Sequence, residues 1–235
     1  MNLQYSIKQI CSIFKVALPQ GDLTDDFVIK NVVIDSRSPR INERTLFFAL
    51  KGNKRDGHQY VKDFELSGGK VAVVSSLLPN SNCIQIVVAD PLAALQELAK
   101  YHRSQFNYDV IGITGSNGKT IVKEWLYHTL KDEFSIVRSP KSYNSQIGVA
   151  LSVLEMSVEN NLAIFEAGIS MPGEMSFLAE MIRPTIGVFT GIGDAHGANF
   201  ESNEQKKEEK MLLFEGAIKT MFATAGVSLL HKIPY

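Results

Sequence analysis

Val110-Ile111-Gly112-Ile113-Thr114-Gly115-Ser116-Asn117-Gly118-Lys119-Thr120 is the stretch on which the fold of this chain turns. It opens as a short apolar run of strand type over residues 110–114. The glycine-bearing segment Gly115-Ser116-Asn117-Gly118-Lys119-Thr120 follows, and a helical pattern runs from Lys119 to about residue 130. Strand, glycine loop, Lys-Thr and helix is the arrangement a nucleoside triphosphate needs. Glycines let backbone N–H groups approach phosphate oxygens, and the helix N-terminus adds a favourable dipole. Lys119 can then reach the outer phosphates of ATP, and the Thr120 hydroxyl can bind Mg2+. Gly115 and Gly118 have two residues between them, and Gly112 and Gly118 five, so the loop is a variant of the usual four-residue spacing. A glycine-rich turn before a helix is the competing reading, and the strand–loop–helix context favours the phosphate loop.

Downstream, the pattern keeps alternating. Residues 135–138, 162–167 and 185–190 read as strands, and residues 146–156, 174–182 and 203–218 as helices. Such alternation predicts an α/β fold with a mostly parallel sheet and helices on both faces. Upstream, a helix over residues 7–14 carries a capping box of Ser6 and Gln9. Strand-like runs follow at 30–34, 45–50, 70–75 and 84–89, then a helix from Asp90 to about residue 106, with Pro91 in its first turn. The polar segment Gln105-Phe106-Asn107-Tyr108-Asp109 predicts a boundary between a small N-terminal α/β domain, 1–106, and the phosphate-loop domain, 107–235.

The 235 residues are 45% hydrophobic and 21% charged, with a formal net charge of -1, which gives no reason to expect nucleic acid or an anionic membrane as partner. Cys11 and Cys83 lack metal-type spacing and read as reduced core residues of a cytoplasmic protein. Lys8 and Lys15 interrupt any signal-peptide-like run, and no stretch has the roughly 20 apolar residues of a membrane span.

Two further positions fall at carboxyl ends of predicted strands, where ligands of open α/β sheets bind. Glu166, in Phe-Glu-Ala-Gly, is a candidate oxygen ligand for Mg2+. His196, in Gly-Ile-Gly-Asp-Ala-His-Gly, reads on its own as either a structural histidine or a ligand. Lys206-Lys207-Glu208-Glu209-Lys210 reads on its own as a solvated helix face.

Several separated motifs together resemble the Mur ligase family, over roughly residues 5 to 215. In the N-terminal part they are Asp35-Ser36-Arg37, Phe47-Phe48-Ala49-Leu50-Lys51-Gly52 and Asp56-Gly57-His58. In the rest they are Thr114 to Thr120 with Lys123-Glu124, Tyr143-Asn144 with Ile147-Gly148-Val149, Glu166-Ala167-Gly168 with Pro172-Gly173-Glu174, Ala195-His196, and Lys210. The resemblance implies an ATP-dependent ligase of peptidoglycan precursor synthesis that adds D-Ala-D-Ala to a UDP-N-acetylmuramoyl-tripeptide through an acyl phosphate. It implies that Ser36 and Arg37 hold the UDP-sugar end of the substrate, that Asn144 contacts substrate or phosphate, and that Gly115, Ser116, Asn117, Gly118, Lys119 and Thr120 cradle ATP. It further implies Mg2+ at Thr120 and Glu166, a second metal at His196, and a Lys210 carbamylated by CO2 as metal support. Catalysis would then fall to Lys119, His196 and Lys210. Gly191 and Ala150 stand where the family usually has Asn and Pro. Residues from Thr220 onward show no family likeness, so the central domain reads as partial, with an open sheet edge. Another Mur-type amino-acid ligase, a generic phosphate-loop NTPase, and a non-catalytic fragment binding UDP-sugar and ATP stay open as alternatives.

Overall fold

The computed structural model describes residues 3–19, 27–52, 54–193, 199–216 and 219–223. The chain divides into two compact units, Met1–Tyr101 and His102–Tyr235.

The first unit is built on a four-stranded, fully parallel sheet. Antiparallel β1 (Tyr5–Ser6) and β2 (Val28–Ile29) form a separate two-stranded ribbon, with helix α1 (Ile7–Phe14) between them in sequence. Ser6 and Gln9 form the expected capping box on α1. The main sheet has the order β3 (Asn31–Val33), β4 (Thr45–Phe48), β5 (Val71–Val74), β6 (Ile84–Val87). Parallel neighbours need a crossover. Between β4 and β5 it is made by a 3-10 turn (Gly57–Tyr60) and a short helix α2 (Val61–Leu66), neither of which the sequence pattern had marked. Val61 and Phe64 bury this crossover, and Phe64 stacks on Phe47 with ring centroids 5.0 Å apart. Cys11 and Cys83 are both free and buried, and burial raises both thiol pKa values.

His58 clamps this unit. Its Nδ1 lies 2.6 Å from Asp56 Oδ1, and its Nε2 accepts the Ser75 backbone N–H at 2.8 Å. Accepting at Nε2 requires the proton on Nδ1, which it donates to Asp56. The crossover is thereby tied to the end of β5. Replacing His58 by Ala leaves that N–H and the carboxylate without their partner, and should lower stability by about 1–3 kcal/mol in chemical denaturation.

Helix α3 (Pro91–Ser104) runs across the division in sequence. The expected boundary at residue 106 falls later than the observed one because the last turn of α3 is bonded into the second unit. Buried His102 lies with Nε2 2.9 Å from the Met156 carbonyl. Buried Arg103 donates to the carbonyls of Ile182, Phe106 and Arg183. Burial lowers the His102 pKa below its ordinary 6.5, against the Met156 hydrogen bond, which raises it. The unfolded chain therefore binds a proton that the folded chain refuses. This stability is complete above about pH 6.5 and is lost as pH falls towards the folded pKa. Between about pH 7.5 and 5.5 the wild-type denaturation midpoint should fall more steeply than that of His102→Gln, by at most about 1.4 kcal/mol per pH unit.

The second unit is a five-stranded, fully parallel sheet of order β11 (Thr220–Ala223), β10 (Ile186–Phe189), β7 (Asp109–Thr114), β9 (Leu162–Glu166), β8 (Ile136–Arg138). Helices α4 (Lys119–Leu130), α5 (Gln146–Val153), α6 (Glu174–Ile182) and α7 (Asn203–Met211) connect or flank these strands. Val122, Leu126 and Leu130 of α4 pack on Ile111, Ile113, Leu162 and Ile164. Gly112 and Gly187 face each other in register on β7 and β10. A Cβ on Gly112 would meet Pro184 at 2.8 Å, and one on Gly187 would meet Phe214 at 2.8 Å. The missing side chains let the 3-10 turn Leu212–Phe214 sit close to the sheet.

Two expectations need correction. The helix predicted over 203–218 is α-helical only to Met211 and then tightens to the 3-10 turn, as helix ends commonly do. The edge of β10 is not open: Thr220–Ala223 pairs along it in parallel, from Ile186↔Thr220 to Phe189↔Ala223. Its short Thr-Met-Phe-Ala run had too little pattern to be read as a strand. Among the described residues no helix is long and apolar enough to cross a membrane.

Candidate active site

The carboxyl ends of β7 and β9 carry the site. After Thr114 the chain enters Gly115 at φ 144° and leaves the loop at Gly118, φ 82°, the N-cap of α4. These positive φ values suit glycine. A Cβ on Gly115 would also lie 2.1 Å from Thr190 Oγ1. Thr190 follows β10 and braces the loop, its hydroxyl donating to the Asn117 carbonyl at 2.5 Å. Ser116 donates its N–H to the Gly191 carbonyl at 2.9 Å, and its hydroxyl is buried without a hydrogen-bond partner among the described residues. Lys119 folds back onto the loop carbonyls of Gly115 and Ser116, at 2.8 and 3.2 Å.

Thr120 donates its hydroxyl to Glu166 Oε2 at 2.9 Å. Glu166 itself is fully buried, and its other oxygen accepts from Lys123 Nζ at 3.0 Å. Asn144 sits beside the end of β9: its carbonyl accepts the Gly168 N–H at 2.8 Å, and a Cβ on Gly168 would come within 2.9 Å of the Asn144 side chain. His196 lies outside the described residues.

Lys206 and Lys210, four apart on α7, are both buried. Lys206 donates to the Gly193 carbonyl at 2.6 Å. Burial first, then the charges of Lys119 and Lys206, bring the Lys210 pKa down to about 8. Burial, with Lys206 adding to it and Glu166 opposing it, also lowers that of Lys119. Lys119, Lys206 and Lys210 thus lie within electrostatic reach of one another, and Lys119 also within reach of the Glu166 carboxylate. Loop N–H groups, glycine cradle, unpartnered Ser116 hydroxyl and lysines together match the donor set a polyphosphate requires. Among the described residues no group of three or more His, Cys, Asp or Glu that could hold a metal ion is found.

The sequence-predicted residues Gly115 to Thr120, Glu166, Asn144 and Lys210 all lie in this second unit. Ser36 and Arg37 lie in the first. Ser36 is buried, and Arg37 forms a two-point pair with Asp35 at 2.9 and 2.7 Å while its side chain stays 80% exposed. The Arg37 hydrogen bonds hold the Asp35 carboxyl down at about 2. Sequence reasoning missed Lys206, treating the charge run as a solvated face. A signal was available: Lys206, Lys210, Leu213 and Phe214 follow i, i+4, i+7, i+8 spacing, and all four are buried. Lys123 appeared only as part of a motif, without a role.

A fully parallel sheet with a glycine loop leading into Lys-Thr, and a carboxylate at the end of the neighbouring strand, defines a phosphate-loop nucleotide-binding unit. Residues 113–226 match the Mur ligase middle domain, so the family likeness, expected to end at Thr220, runs on past that point. The chain belongs to the Mur ligase family. It is 33% identical over 218 residues to the UDP-N-acetylmuramoyl-tripeptide–D-alanyl-D-alanine ligase of Bacillus subtilis strain 168, covering 91% of this chain and 47% of that protein. The crystal structure of MurF from Acinetobacter baumannii superposes with a TM-score of 0.84 at 27% identity, covering 95% of this chain and 49% of the other. MurF ligase from Thermotoga maritima, solved in complex with ADP, gives a TM-score of 0.74 at 28% identity, covering 84% and 46%. The chain spans about half the length of the curated relatives it matches.

Proposed function

We propose that this chain supplies the UDP-sugar-accepting and ATP-binding parts of a cytoplasmic ligase that joins D-Ala-D-Ala to UDP-N-acetylmuramoyl-tripeptide. The observation that carries this reading is the set Lys119, Thr120 and Glu166 at adjoining strand ends, in a chain 33% identical to a ligase of that name.

Lys119 would leave the Gly115 and Ser116 carbonyls for the outer phosphates, and the Ser116 hydroxyl would find its partner in a phosphate oxygen. The peptide carboxylate attacks the terminal phosphorus, the bond to ADP breaks, and an acyl phosphate forms. The amine of D-Ala-D-Ala then attacks that carbonyl, phosphate leaves, and the nitrogen gives up a proton. Two anions must meet in the first step, so the residues have to overcome charge repulsion. Lys119 and Lys206 do this by concentrating positive charge where water is largely excluded. Thr120 and Glu166 would hold Mg2+, with His196 at a second ion; bound there, Mg2+ screens charge on the transferring phosphoryl group. A lysine amine brought down to about 8 is neutral more often than an ordinary one, which suits Lys210 to carbamylation by CO2. Asn144 would touch substrate or phosphate, and Ser36 and Arg37 the UDP-sugar.

Thermal denaturation with and without UDP-N-acetylmuramoyl-tripeptide, and separately Mg2+-ATP, tests the reading. Ligand at about 100 times its dissociation constant adds about 2.7 kcal/mol, which is several degrees for a chain of this size. Shifts with both ligands are expected. A shift with the UDP-sugar alone would leave a binding fragment, and no shift with either would overturn the proposal.

A further inference from the structure

Lys123, one turn beyond Lys119 on α4, is wholly buried and faces the wholly buried Glu166. Removing a lysine head from water is unfavourable by several kcal/mol unless its hydrogens are matched. Here they are. Nζ donates to the Ser139 carbonyl at 2.8 Å, to Glu166 Oε1 at 3.0 Å and to the Lys141 carbonyl. Glu124 Oε1 lies 3.2 Å away and is itself tied to Arg138 at 2.6 Å.

This full matching has a directional consequence. With Oε1 taken by Lys123, the Glu166 carboxylate presents Oε2 to the Thr120 hydroxyl, at 2.9 Å. The same ammonium also grips the carbonyls on either side of Pro140, in the turn that leads to Asn144. Lys141 in that turn has φ 50°, a conformation a non-glycine residue holds only when its surroundings impose it. One buried cation thus fixes the strand-end carboxylate and the Asn144 turn together.

We propose that Lys123 is a positioning residue: it aims Glu166 Oε2 at Thr120, so that the two oxygens meet the Mg2+ of a bound nucleotide as a pair. The inference rests on the nucleotide reading of the loop. A purely structural ion pair would support folding without any special effect on the metal.

Titration of the 235-residue chain with ADP, with and without Mg2+, separates the two. The variants are Lys123→Met, Lys123→Gln and, as reference, Glu166→Gln. Because K123M strips the buried carboxylate of its counter-charge and can lose the fold, the polar K123Q, too short to reach Glu166, is measured beside it. The gain in ADP affinity on adding Mg2+ is expected to fall roughly 10- to 100-fold in the Lys123 variants, as in E166Q. The loss should concentrate in the Mg2+-dependent part of the affinity. Folded Lys123 variants that keep the wild-type gain, or that weaken metal-free and Mg2+-bound ADP equally, would overturn the positioning role. Absence of ADP binding by the wild-type chain would instead overturn the nucleotide reading on which it stands.

Discussion

Replacing Lys119 by Met is expected to weaken ATP binding by about 1.5–3 kcal/mol, roughly 10- to 150-fold, with the thermal midpoint unchanged or raised. Losing binding energy without losing stability is the mark of a group held for its ligand. The Lys119 ammonium sits in a partly buried position that lowers its pKa, first through burial and then through Lys206, with Glu166 opposing. A cation whose folded pKa is lowered destabilises the folded chain wherever it stays charged. Its hydrogen bonds to the Gly115 and Ser116 carbonyls offset this only in part. Met keeps the length and removes the repulsion. A bound polyphosphate reverses the balance, because the Lys119 and Lys206 ammonium groups then face several negative oxygens. Calorimetric titration with ATP and a thermal melt of the same samples give both halves of the test. Equal ATP affinity in K119M would dissociate this loop from phosphate binding, and a large fall in midpoint would make Lys119 a structural residue.

How much of this was legible in the sequence depends on how local the signal is. The phosphate loop, α4 and the strand ending at Glu166 could be read because each is set by adjacent residues: glycines at turns, an apolar run, a helical period. Helix α2 was not legible. Its six residues, Val61–Leu66, are too short for a period to show, and what stabilises them is Phe64 stacked on Phe47 from another element. Strand β11 escaped for the same reason, since its partner β10 lies more than 30 residues earlier in the chain. The burial of Lys206 was hidden by an assumption about charge, and Lys210 stood out only through the family resemblance. The helix period placed them with Leu213 and Phe214 on the buried side, but charged residues are rarely given to a core unless a partner is known. Lys123 and Glu166 are 43 apart in sequence, and only the parallel pairing of β7 with β9 puts the end of one strand beside the start of the helix after the other.

The Lys123–Glu166 pair should show a strong non-additive effect on stability. Lys123→Met leaves a wholly buried carboxylate without its counter-charge, and removing one partner of such a pair is destabilising by about 3–5 kcal/mol. Glu166→Gln leaves the ammonium with the Ser139 and Lys141 carbonyls and should be milder. The double variant K123M/E166Q leaves no charge at either position of the pair. Methionine fills the lysine channel, and the glutamine amide can still reach the Thr120 hydroxyl. It should therefore be more stable than K123M alone by about 2 kcal/mol or more, since neutral replacement of a buried ion pair is often close to neutral in stability. Denaturant titration of the four proteins closes the cycle. Single effects that simply add would mean that the two charges do not sense each other, which would also remove the physical basis for a positioning role. Recovery in the double variant carries the opposite implication. If an uncharged pair holds the fold about as well, folding does not explain why a carboxylate and an ammonium are buried here, and the charge on Glu166 is left with a use outside folding, at the ion that the Thr120 and Glu166 oxygens would share.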